Sequence, residues 1–288
     1  MDWDKSFVEE LAARRCIIFM GAGASAGCKS LDGTKSPSDW ETLLKLLLAS
    51  LPDGDDKVFA STRIKEKQYL EAAEVICARI SMPDFSSIIR TQFITPKYQA
   101  SDLHKSILML DPKVVVTTNY DDIYERYCAN GDADAGYNVC RYYETHLVND
   151  LRSPVRSIIK AHGCITNPSK AVLTKQQYFR ARQEAPNFFK ILDALFTTHT
   201  LFFVGYSLSD PDIQLLLENT NITAPSTHPH YAVIKEGSVH PALRSAAEKA
   251  YNLRFVEYGP AGHQELIDGL SDLANLVIEK REANPMAN

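Results

Sequence analysis

Short unbroken apolar runs punctuate the chain, and between them apolar residues recur every three or four positions. The runs fall at 16–20 (CIIFM), 114–116 (VVV), 157–159 (SII) and 201–204 (LFFV), with weaker ones at 231–234 and 254–256. They favour β-branched and aromatic residues and do not alternate with polar ones. That pattern predicts parallel strands covered on both faces. Helical spacing predicts helices over 40–51, 69–80, 187–197, 212–218 and 264–280. Pro186 and the Asp210-Pro211 pair read as helix start signals. Strands alternating with helices predict an α/β fold, a Rossmann-like parallel sheet flanked by helices. Residues 52–112 hold no strong strand and are expected to form a helical insertion within one domain spanning 1–288.

Composition narrows the function classes. Of 288 residues, 45% are hydrophobic and 23% charged, which excludes wholesale disorder. The net charge of −5 gives no global attraction to a nucleic-acid backbone or an anionic membrane. No apolar run approaches the ~20 residues a membrane helix needs. With a polar, acidic start and no signal peptide, the expectation is a soluble cytoplasmic protein. The six cysteines (Cys16, Cys28, Cys77, Cys128, Cys140, Cys164) form no C-x-x-C pair, so they read as reduced core thiols and no metal is expected. His228 and His230 fall in a proline-rich stretch that reads as a loop.

Four strand ends carry polar chemistry. After 16–20 comes Gly21-Ala22-Gly23-Ala24-Ser25, where glycines permit a sharp turn and a close approach of phosphate. Free N–H groups at the following helix start are expected to face the anion; a plain tight turn is the alternative. After 114–116 comes Thr117-Thr118-Asn119-Tyr120-Asp121-Asp122. Asn119 offers a donor and an acceptor suited to sugar hydroxyls or an attacking water. Asp121 would orient Asn119 or cap the next helix. After 157–159, Lys160-Ala161-His162-Gly163 presents an imidazole suited to proton transfer. After 201–204, Gly205-Tyr206-Ser207-Leu208-Ser209-Asp210 repeats the pattern, with Gly205 and Ser207 able to line a phosphate or ribose pocket and Asp210 read as a helix cap.

In this order, the four segments resemble the sirtuin superfamily: a glycine–alanine–glycine loop, T-x-N-x-D, a histidine–glycine pair and a glycine–serine strand end. The sequence departs from deacetylating sirtuins in lacking any cysteine after Cys164, so their four-cysteine zinc module cannot be built. It is similar instead to the zinc-free, sirtuin-like NAD hydrolases of bacterial anti-phage defence, including in the PSDWETLL segment at 37–44. The resemblance implies cleavage of NAD to nicotinamide and ADP-ribose, with NAD as substrate and no metal. It implies Asn119 and His162 as catalytic residues, Gly21, Ala22, Gly23, Ser25, Thr118 and Asp121 toward pyrophosphate and ribose, and Gly205 and Ser207 toward adenosine. It further implies a homo-oligomer and a separate regulatory partner, a HerA-type ATPase or a short Argonaute-like protein, because the shortness of the chain leaves little room for a fused sensor. A protein deacylase, a non-catalytic NAD or ADP-ribose sensor and a hydride-transferring dehydrogenase are the competing readings.

Overall fold

The computed structural model describes residues 1–130, 136–208 and 210–284. The strands are β1 (Cys16–Met20), β2 (Val114–Thr117), β3 (Tyr137–Arg141), β4 (Arg156–Lys160), β5 (Thr200–Val204), β6 (His230–Lys235) and β7 (Leu253–Tyr258). The helices are α1 (Lys5–Ala12), the single turn α2 (Ala22–Ser25), α3 (Trp40–Ala49), α4 (Asp55–Lys65), α5 (Tyr69–Arg79), α6 (Met82–Phe93) and α7 (Asp102–Met109). They continue as α8 (Ile123–Asn130), α9 (Leu147–Arg152), α10 (Lys175–Glu184), α11 (Pro186–Thr198), α12 (Pro211–Thr223), α13 (Pro241–Tyr251) and α14 (His263–Ala283).

The strands pair in parallel in the order β3-β4-β2-β1-β5-β6-β7, one seven-stranded sheet. This is the Rossmann-like α/β architecture the apolar runs predict. β1 shows why such a strand needs no polar alternation. Cys16, Ile18 and Met20 enter a core with α1, α7 and α14, while Ile17 and Phe19 enter another with α11 and α12. Successive side chains point to opposite faces, and both faces are covered. Edge strand β3 was not foreseen. Its burial is mostly partial, so its sequence (YNVCR) lacks an apolar run.

The helical unit closes around α3, α4, α5 and α6. Leu43, Leu44 and Leu47 pack with Ile64, Ile76, Phe85, Ile89 and Phe93. The same core includes Tyr120, Cys164, Ile165 and Leu173. Thus the unit sits directly on the loops that follow β2 and β4. Its apolar core begins before residue 52, whereas α7 packs on α14 beside the sheet. His230 corrects the loop reading of its surroundings. It opens β6 opposite Leu253 and is buried, its Nδ1 accepting the Leu201 N–H at 3.1 Å.

Candidate active site

The register brings four strand ends to one line. Met20 lies opposite both Thr117 and Val204, and Thr117 lies opposite Lys160. The polar segments after β1, β2, β4 and β5 therefore leave the sheet side by side at its carboxyl edge. Successive strands depart from β1 in both directions, and parallel sheets bind ligands at such a switch point. A cleft of about 1000 Å³ opens there, large enough for a dinucleotide-sized ligand. Every sequence-predicted site residue except Gly21 lines it: Ala22, Gly23, Ser25, Thr118, Asn119, Asp121, His162, Gly205 and Ser207. Ser209 lies outside the described residues.

Asn119 is locked by its amide. Nδ2 donates to the Gly21 carbonyl at 3.0 Å and to Ser25 Oγ at 3.3 Å. Ser25 Oγ in turn donates to Asp121 Oδ2 at 3.1 Å. The other Asp121 oxygen accepts the Ile123 N–H at 3.1 Å, capping the next helix. Asp121 therefore does both things expected of it: it caps, and through Ser25 it orients Asn119. Beneath this chain lies Lys160, fully buried, whose ammonium donates to the Asp121 carbonyl and to Glu125 Oε1. Burial disfavours the Lys160 ammonium, yet the Glu125 charge beside it keeps its pKa raised.

Close backbone approach explains the glycines. A Cβ on Gly205, whose φ is 61°, would lie 2.1 Å from the Ala24 nitrogen. Only glycine fits there. The approach also revises the expectation of free amides at this loop. The Gly21 N–H donates to Val204 O at 3.1 Å, and the Gly23 N–H donates to Gly205 O at 2.8 Å. Both are engaged because the loop is stapled to the end of β5 rather than opening into a long helix; α2 is a single turn. Among the described residues, no acceptor lies on the Ala22 N–H.

His162 is held differently. Nε2 lies 2.9 Å from Asp210 Oδ2, and the Tyr178 hydroxyl donates to the same oxygen at 2.9 Å. The Tyr178 ring stands edge-on to the imidazole, centroids 5.0 Å apart. Asp210 Oδ1 accepts the Ile213 N–H at 3.2 Å, which is the cap the sequence predicts. Burial alone would raise the Asp210 carboxyl. The His162 charge, reinforced by the hydrogen bonds from His162 and Tyr178, instead holds its pKa below the usual carboxylate value.

The structure thus adds two residues that sequence reasoning missed as site residues, Asp210 and Tyr178. Asp210 was legible only as a cap, since its partner lies on another strand end. Tyr178 sits in α10 behind a capping box formed by Thr174 and Gln177, a local signal that says nothing about the cleft. Asn119 and His162 both face the cleft, but no direct hydrogen bond joins them. The cleft continues past β5 along β6, α13 and β7, where Val233, Ile234, Leu243, Ala247, Tyr251 and Phe255 make its wall apolar.

A family model described as a SIR2-like domain matches residues 113–256, half of the chain. The chain belongs to the SIR2-like domain family. The matched span runs from β2 to β7 and so includes Asn119, His162 and Asp210. Curated relatives extend the likeness over more of the chain. NAD(+) hydrolase ThsA of Bacillus cereus (strain MSX-D12) is 26% identical over 242 residues, covering 82% of this chain and 46% of that protein. ThsA of Acinetobacter baumannii (strain 532279) is 25% identical over 230 residues, 80% of this chain and 44% of that one. Defense-associated sirtuin 2 of Bacillus subtilis is 24% identical over 224 residues, 74% of this chain and 20% of that protein. This SIR2-like chain therefore spans less than half the length of these relatives. No helix among its described residues is long and apolar enough to cross a membrane.

Proposed function

We propose that this SIR2-like chain hydrolyses the nicotinamide–ribose bond of NAD, giving nicotinamide and ADP-ribose, and serves anti-phage defence by depleting NAD. The observation that carries the reading is the convergence of Asn119 and His162, each rigidly held, on one cleft at the switch point of the sheet. The names of the ThsA relatives and of the defence-associated sirtuin support the substrate and the setting.

The chemistry follows from how the side chains are held. The N-glycosidic bond breaks with its electron pair going to the pyridinium nitrogen, which becomes neutral. Positive charge develops on the ribose, and water adds to the anomeric carbon. His162 takes the proton from that water or from a ribose hydroxyl. Asp210 orients the imidazole and stabilises its protonated form, with Tyr178 fixing the carboxylate. The Asn119 NH₂ is engaged with Gly21 and Ser25, so its carbonyl oxygen is the end left to hold a ribose hydroxyl and the attacking water. Ala22 supplies a backbone donor for the pyrophosphate, with Gly23, Ser25 and Thr118 shaping its bed. Asp121 acts on the ribose side through Ser25. Gly205 and Ser207 lie toward the adenosine. Preorganised dipoles of this kind act where charge develops.

Regulation is part of the proposal. The name of the defence-associated sirtuin supports control by self-assembly or by a partner, for which the family resemblance suggests a HerA-type ATPase or a short Argonaute-like protein. The test of the hydrolase reading is chromatographic measurement of NAD, nicotinamide and ADP-ribose with the purified chain, with and without acetylated peptide. Equal amounts of nicotinamide and ADP-ribose without peptide are expected. Turnover only with peptide would replace hydrolysis by deacylation.

A further inference from the structure

A second cluster of chemistry lies at the edge of the sheet, outside the cleft. Cys140 is near the end of β3, and α9 begins a few residues later with His146 at its cap position. One ligand atom each from Cys140, His146 and Asp150 lie within 4.8 Å of one another. His146 Nδ1 is 2.6 Å from Asp150 Oδ2. On the other side of the ring, Nε2 is 3.5 Å from Glu144 Oε2. Glu144 is itself fixed, accepting the Arg141 N–H at 2.7 Å and the Arg141 guanidinium at 3.0 Å.

We infer that Cys140, His146 and Asp150 form a binding site for a zinc-class divalent cation. The donor set decides the class. Thiolate sulfur and imidazole nitrogen suit zinc, whereas magnesium and calcium take oxygen. Thiolate and carboxylate together balance a doubly charged ion, and the thiol proton leaves to solvent on binding. Asp150 Oδ2, 2.6 Å from Nδ1, sets a carboxylate ligand beside the imidazole, and Glu144 adds a further negative charge on the other side of the ring. Cys140 is buried, while the His146 side chain is 47% exposed, so the ion enters from the His146 side and water takes the fourth position.

The site ties β3 to α9. Cys140 pairs in register with Ile159 of β4, the strand that leads to His162, yet none of the three ligands lines the cleft. The ion therefore acts on stability of the sheet edge rather than on the reacting atoms.

Cobalt titration of the untagged full chain, stripped with a chelator, tests this directly. The expected result is one equivalent bound, with a near-ultraviolet thiolate-to-cobalt charge-transfer band that zinc displaces and a rise in melting temperature on zinc addition. Cys140→Ser abolishes the band. His146→Gln, at a half-exposed position that leaves the fold intact, weakens binding at least tenfold. Absence of a stoichiometric band, or a band unchanged in Cys140→Ser and His146→Gln, overturns the site and leaves an ordinary ion-pair network.

Discussion

Asn119 and His162 follow neighbouring strands and face one cleft, yet they are held by opposite means. Asn119 is fixed by a chain of hydrogen bonds, Gly21 O to Nδ2 to Ser25 to the Asp121 carboxylate, seated on the buried Lys160–Glu125 pair. His162 is fixed mainly by one charged partner, Asp210, reaching across from the segment after β5, and by Tyr178 behind it. The first arrangement makes position a property of the fold. The second makes it a property of one carboxylate. Damage to the first side should therefore appear as lost stability, and damage to the second as lost rate in a folded protein.

Breaking the Asn119 side at its base gives the largest effect. Lys160→Met leaves Glu125 buried without its partner, and breaking a buried pair costs about 3–5 kcal/mol. Urea denaturation reads that loss, and Lys160→Met combined with Glu125→Leu should recover much of it. Equal stability of the single variant and the parent would mean that the pair supports nothing.

Acid probes the buried histidines outside the cleft. Burial lowers His104, beside Cys28 near the Asn119 network, and His230, on β6, each to about 4. The unfolded chain takes up those protons at the ordinary histidine value while the folded chain does not. Stability therefore falls as pH drops from about 6.5 toward 4, by roughly 3 kcal/mol per histidine at full effect. His230→Asn should flatten the fall; an unchanged slope would assign the acid sensitivity elsewhere.

Asp210→Asn tests the charged side. It keeps the shape and removes the counter-charge, so kcat should fall about 100-fold, within the range of general-base effects, while KM changes little. A loss confined to KM would make Asp210 a substrate-binding group instead. Tyr178→Phe is milder. Losing one hydrogen bond to Asp210 costs about 1 kcal/mol, roughly fivefold in rate, with the fold intact.

The same contrast explains what could be read from the chain. The strand runs and the polar residues just after them were legible because parallel strands buried on both faces must be apolar and must end in polar turns. That logic locates Asn119, His162 and Gly205. β3 was not legible, since only Cys140 among its residues is fully buried. Asp210 was half legible. Its cap onto Ile213 is a local signal, whereas its pairing with His162 spans two strand ends. Lys160 was seen as part of a motif but not as a buried support, because a lysine's sequence neighbours do not reveal Glu125 beneath it. Free amides are expected at the helix start after β1, and only the stapling of the loop to Val204 and Gly205 shows that those of Gly21 and Gly23 are engaged.

One measurement bears most directly on the central claim: NAD binding and nicotinamide release followed in the same samples of the parent chain, Asn119→Ala and His162→Ala. The account predicts that the parent binds and cleaves NAD. His162→Ala should bind with little change while release falls at least ~100-fold, and Asn119→Ala should lose comparable rate. Undiminished release by either variant, or NAD bound but uncleaved by the parent, would contradict it.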